Sequence, residues 1–196
     1  MAEENNKTMS AADVAALVDG LSASSRRHRQ EVSQDIAAVA AKDSSLLAGH
    51  IDALIDALDR PEAQTRWEVL DTLSTMTDAY ADQVSAAFAG AEASLFDYDS
   101  ATVRLSAFLF LCRLGATSPE RSDEVWPLLN EAIQCYHGDA EYRDMLEGLL
   151  GFAGGSISKK AAKELVSRVK FDAESGNGYI KQFSGDILEV AKGKAK

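Results

Sequence analysis

The sequence predicts an all-α protein, a solenoid of about five helical hairpins, and three observations carry that prediction. Only 3 prolines occur in 196 residues, alanine is abundant, and alternating stretches rich in Val and Thr are scarce; such a composition suits helices and starves strands. Four segments superpose when aligned on Arg29, Arg66, Arg104 and Arg143, at intervals of 37, 38 and 39 residues, a period typical of stacked helical hairpins. Apolar residues then recur 3, 7 and 10 positions after each arginine, which traces one face of a helix.

Each segment reads as a helix, a short turn and a second helix. The second helices carry Val32, Ile36 and Val39; Val69, Leu73 and Met76; Ala107, Leu111 and Leu114; and Leu146, Leu150 and Ala153. Upstream, Val18 and Leu21, Ile55 and Leu58, Ala93 and Phe96, and Ala132 and Cys135 stand three apart and close the first helices. Helix starts have their own chemistry: Ser24 or Ser25, Asp59-Arg60-Pro61, Asp99-Ser100 and Asp139 offer caps or a leading proline to the second helices, satisfying amides that lack an intrahelical partner. Asp43-Ser44-Ser45, Ser118-Pro119 and Ser156-Ile157-Ser158 do so between units. A fifth, divergent unit pairs helices near 159–171 and 179–192 across a turn at 174–178, with Lys181 at the arginine position and Gly185 interrupting its last helix. The helix from Val103 to Leu114 is apolar on nearly every side, which places it at the centre of the stack.

This pattern resembles the HEAT family of armadillo-type helical repeats: an arginine opening the second helix, leucine-like residues at plus seven and plus ten, Gly115 and Gly154 at plus eleven, and a proline-bearing first helix at Val125-Trp126-Pro127-Leu128-Leu129. The resemblance covers residues 10–158 well and the remainder loosely. It implies a right-handed α-solenoid with units near 10–42, 43–82, 83–117, 118–156 and 157–192, after a polar tail at 1–9. Ser33 and Glu147 depart from the apolar plus-four residues Leu70 and Phe108, as expected of terminal units with a solvent-facing side.

Charge narrows the function. The chain carries 20 Lys+Arg against 31 Asp+Glu, a net charge of -11, which disfavours a nucleic-acid partner because phosphate affinity rests on clustered cations. The average hides two parts: residues 1–158 hold 11 basic and 26 acidic residues, a net of -15, whereas residues 159–196 hold 9 and 5, a net of +4. The polar, acidic start and the lack of a long apolar run predict a cytoplasmic protein with no membrane segment. Cys112 and Cys135, both within apolar runs, are expected as reduced core thiols.

In a right-handed stack the second helices line the concave side, with outward residues at plus one, plus five and plus nine. These positions assemble an apolar strip of Trp67, Leu105, Leu109 and Phe152, with Asp71, Asp144 and Arg113 beside it, a groove for a partner peptide or helix. The expected partner-binding residues are Trp67, Asp71, Leu105, Leu109, Arg113 and Phe152, and the expected function is a non-enzymatic adaptor binding an unidentified protein or peptide, with self-association as a further partner mode. Arg29, Arg66, Arg104 and Arg143 are expected to bond turn carboxylates or helix carbonyls between units. The alternative, by resemblance, is a HEAT-like enzyme or enzyme subunit of the DNA glycosylase or pigment lyase kind, using Trp67 and Asp71; the acidic charge disfavours it. His28, His50 and His137 are scattered, and Cys135 with His137 has no second ligand pair, so no metal is expected. Asp97-Tyr98-Asp99-Ser100 lacks the glycine and distal glutamate of a calcium loop. The glycines at 148, 151, 154 and 155 lack P-loop spacing and follow a helix. No catalytic residue and no cofactor are expected.

Overall fold

The computed structural model describes residues 9–195, so the expected N-terminal tail lies almost wholly outside the described residues. These form an all-α solenoid: α1 (Ala11–Asp19), α2 (Arg26–Asp43), α3 (Ile51–Asp56), α4 (Ala63–Val84), α5 (Phe88–Leu95), α6 (Ala101–Gly115), α7 (Pro119–Cys135), α8 (Tyr142–Gly154), α9 (Lys159–Ser175) and α10 (Gly178–Lys194), with no strand among them. The even-numbered helices pack in series, α2 on α4, α4 on α6, α6 on α8 and α8 on α10, while the odd-numbered ones form a second layer. None of these helices is long and apolar enough to cross a membrane.

Local chemistry sets the helix starts. Ser25, Ser100, Ser118 and Ser158 each accept a hydrogen bond from the amide three residues on, and Pro119 follows Ser118 at the first helical position, where its missing N–H is no loss. Two expected starts differ. Pro61 stands before the cap of α4, which is Glu62 with no side-chain cap bond. Asp139 does not cap α8; its carbonyl accepts from the Tyr142 amide within the turn. The fifth pair is longer than expected, and Gly185 does not break α10.

The core lies between the two layers. Ile36, Leu73, Met76, Leu111 and Leu149 have no exposed surface, each worth roughly 1.5–3 kcal/mol for burial of the side chain. α6 sits centrally, with Phe108, Phe110 and Leu111 wholly buried. Cys112 is buried there, but Cys135 is exposed at the end of α7, which corrects its expected place in the core: the helix ends at that residue, before any neighbour covers it.

Consecutive units are clasped by guanidinium–carboxylate pairs. Arg29 holds Glu62 through Nε (3.2 Å) and Nη2, and its Nη1 donates to the Ala23 carbonyl (2.6 Å). Arg66 holds Asp97 at 2.7 Å. Arg104 holds Glu141 at 2.6 Å, donates to the Asp97 carbonyl at 2.9 Å, and lies 4.8 Å above the Tyr136 ring. Lys181 makes the same backward reach in the fifth pair, donating to the Glu174 carbonyl at 3.2 Å.

Arg143 is not the next member of this series. It is exposed, and the neighbouring Tyr142, 2% exposed, stands at the equivalent position, followed by buried Met145, Leu149 and Phe152. The repeat is therefore one residue out of register in the fourth unit. Phe152 packs in the interior, stacked on Trp126 at 6.1 Å between centroids, so it is not an open concave residue. The same shift explains Glu147: its plus-four counterpart is the buried Leu146, and Glu147 itself faces water. Ser33, expected to face solvent, is fully buried with its hydroxyl donating to the Gln30 carbonyl at 3.0 Å. Where the fourth unit lacks an arginine, His137 Nε2 meets Asp172 at 3.2 Å instead.

Two predictions follow the clasps. Arg104→Ala strands the Glu141 carboxylate and should cost about 3–5 kcal/mol in urea unfolding, whereas Arg143→Ala should stay within about 0.5 kcal/mol. Hydrogen bonding from Arg29 draws the Glu62 carboxyl below its ordinary value despite burial. In Asp97 burial opposes ionisation, but Arg66 and two turn amides outweigh it and lower the value. Carboxyls lowered on folding stabilise the fold above their unfolded values, near 4.5 and 3.8, and lose that contribution as pH falls through the lower folded values. Stability should therefore drop on acidification below about pH 5, and the deficit of Glu62→Gln relative to the parent should shrink over the same range in pH-dependent melts.

Candidate functional site

The serial packing of α4, α6 and α8 leaves a groove of about 690 Å³ across them. One wall is the outer face of α4, with Asp71, Ser74, Thr75 and Asp78; the floor is α6, with Leu105, Leu109, Cys112 and Arg113; the other wall is α8, with Asp144, Glu147, Gly148 and Gly151. Leu105 and Leu109 are half-buried. They are the open apolar side chains of a helix whose other large apolar residues are enclosed.

Glycine gives the groove its width. A Cβ at Gly151 would meet nothing within 4 Å, so the α8 wall is bare there. A Cβ at Gly148 would come within 2.5 Å of Leu109 Cδ2, so glycine at that position lets the Leu109 side chain lie flat against α8.

The lining holds four carboxylates, Asp71, Asp78, Asp144 and Glu147, against one guanidinium, Arg113. Arg113 reaches Asp78 at 3.6 Å, and both side chains remain open to solvent, 49% and 80% exposed, so the pair is loose and worth at most about 1 kcal/mol. Asp71, Asp144 and Glu147 have no ion-pair partner among the described residues. Asp71 keeps access to solvent, yet the surrounding groove thins its hydration and pushes its carboxyl upward, opposed by a hydrogen bond with Ser106. Loss of hydration also raises Glu68, against a hydrogen bond from Trp67, with the Asp71 charge adding to the rise.

Of the residues expected to form the site, Asp71, Leu105, Leu109 and Arg113 come together in the groove. Trp67 is half-buried on α4 outside the lining, engaged with its neighbour Glu68, so the Trp67 and Asp71 pairing does not face one cavity. Phe152 contributes only an edge beneath the α8 wall and is 1% exposed. Asp144 was already legible beside the expected strip, while Ser74, Asp78, Glu147 and Gly151 were missed. The correct fourth-unit register, read from Tyr142, points to Glu147 and Gly151 at plus five and plus nine. Asp97, in the stretch that lacks the features of a calcium loop, accepts from the amides of Asp99 (2.9 Å) and Ser100 (2.8 Å). No cluster able to hold a metal occurs among the described residues.

Solved structures share this architecture. The chain superposes on a designed armadillo repeat protein in complex with the peptide (KR)4 with a TM-score of 0.76 at 14% identity, covering 92% of this chain and 82% of that one. It superposes on computationally designed armadillo repeat proteins for modular peptide recognition with a TM-score of 0.72 at 16% identity, covering 91% and 82%. An engineered protein gives 0.74 at 17% identity, covering 93% and 81%. No family model and no curated protein sequence matches the chain. At such identities the likeness is one of fold: an armadillo-type helical repeat.

Gly151 provides a check on the wall. Replacement by alanine at this exposed helical position should stabilise the protein by about 0.5–1 kcal/mol, read as a higher denaturant midpoint; a loss of stability would mean that the α8 wall is closed.

Proposed function

We propose that the chain is a non-catalytic, cytoplasmic adaptor that holds a segment of a partner protein in the groove of α4, α6 and α8. The observation that carries this reading is the pair of half-open leucines, Leu105 and Leu109, on the most enclosed helix of the stack. A helix flanked by neighbours on both sides buries every apolar group it can, so apolar surface left open beside a bare glycine wall suits a side chain supplied from outside. The fold supports it as well, since designed proteins of this architecture recognise peptides.

Catalysis has less behind it. The Trp67 and Asp71 pairing that suggested a base-excising enzyme does not converge on the groove, and a lining with four carboxylates and one guanidinium repels a phosphate backbone.

Selection of binders from a random linear peptide library against the full chain tests the proposal. Peptides so obtained should lose at least about tenfold in affinity, about 1.4 kcal/mol, on Leu109→Glu and on Gly151→Trp, the second variant adding bulk where there is open space. Selected peptides that bind both variants as well as the parent, or a library yielding no binder, would overturn it.

A further inference from the structure

The odd-numbered layer carries a concavity of its own, apart from the groove. Between α7 and α9 lies a cavity of about 330 Å³. Its floor is apolar and closed: Ile133 on α7, Tyr142 at the start of α8 and Val169 on α9 are each at most 3% exposed. Its rim is aromatic. Phe171 stands 73% exposed beside the mouth, and the His137 ring lies 4.8 Å from that of Tyr142. An open phenylalanine next to a hollow leaves apolar surface in water that a ligand ring would cover.

Arg168 supplies the charge. Its Nε donates to Asn130 Oδ1 at 2.7 Å, which tethers the guanidinium at the cavity wall, while neither Nη has a hydrogen-bond or ion-pair partner among the described residues. Glu164 and Asp172 stand one helical turn to either side of it on α9, yet neither pairs with it; Asp172 is taken up by His137 at 3.2 Å. A planar fork held at one edge and free at the other is preorganised for a carboxylate, and less freedom is lost when a ligand arrives. The flanking carboxylates disfavour a dianion such as phosphate. The net charge of +4 on residues 159–196 draws a single negative charge to this end of the molecule.

We propose that this cavity binds a monocarboxylate carried on an aromatic group, with the Arg168 Nη atoms donating to the carboxylate and the ring lying against Phe171. A cavity of about 330 Å³ is at the small end of ligand pockets. Its occupant is therefore one ring with a short acid arm, a chemistry shared by free aromatic acids and by the last residue of a polypeptide ending in phenylalanine. The site shares no lining residue with the groove of α4, α6 and α8, so either can fail without the other.

The test is titration of hydrocinnamate into the isotope-labelled full chain, followed by amide chemical shifts, beside hydrocinnamamide, which keeps the shape without the charge. We expect saturable shifts with half-saturation at about 1–5 mM, as befits about a dozen heavy atoms binding at ordinary efficiency. Hydrocinnamamide should bind at least about tenfold more weakly, and Arg168→Gln should weaken hydrocinnamate to the same degree, the loss of a charge-assisted pair. Phe171→Ala should weaken it about two- to tenfold, the range for an aromatic contact. Both side chains are exposed, so the melting temperature should stay close to the parent's, and Leu109→Glu in the groove should leave hydrocinnamate binding unchanged. A short peptide ending in a free phenylalanine carboxylate that binds more tightly than hydrocinnamate supports the site and names polypeptide ends as its source; weaker binding by that peptide supports it with a free acid as the source. No saturable shift up to about 20 mM, equal binding of acid and amide, or acid binding unchanged by Arg168→Gln would overturn the proposal.

Discussion

Each of the first three units reaches forward with a sheltered guanidinium to the turn carboxylate of the next: Arg29 to Glu62, Arg66 to Asp97, Arg104 to Glu141. Apolar burial is non-directional and would tolerate hairpins sliding past one another. A planar fork bound to a carboxylate at one fixed place does not. Once both partners are out of water, losing either strands a charge, so these pairs fix the spacing at which α2, α4, α6 and α8 lie side by side. The groove follows from that spacing, because its walls and floor belong to three successive second helices.

The fourth junction departs from this scheme. Tyr142 fills the arginine position with its ring buried, and burial, the Asp172 charge and Tyr179 hold its hydroxyl well above the ordinary tyrosine range. His137, 4.8 Å from that ring, takes Asp172 instead. Beyond this point the charge of the chain changes sign, and Lys194 closes onto the carbonyls of Gly154 and Gly155 at the end of α8. The acidic groove and the basic final unit are thus neighbouring but separate features.

Much of the fold was legible because stacked hairpins repeat their burial demands. Plus-three, plus-seven and plus-ten residues of the first three units are all buried, and serine caps mark the starts of two second helices, α2 and α6. The fourth unit was misread for a specific reason. Met145-Leu146, Leu149-Leu150 and Phe152-Ala153 are apolar doublets, so the pattern reads equally well from Tyr142 or Arg143. An arginine anchor then chose the wrong register, since no local property distinguishes a guanidinium that finds a carboxylate from one that points to water. That single residue sent Phe152 to the groove and hid Glu147 and Gly151.

By itself the sequence determined the helical class, the repeat, the acidic balance and five groove residues, Asp71, Leu105, Leu109, Arg113 and Asp144, because composition and helical period act through local geometry. Tertiary structure alone decided that Leu105 and Leu109 stay half-open while Phe152 closes onto Trp126, and that Gly151 leaves bare space while Gly148 accommodates Leu109. Those outcomes depend on the separation and rotation of α4, α6 and α8, which the clasps between units set and no single helix encodes.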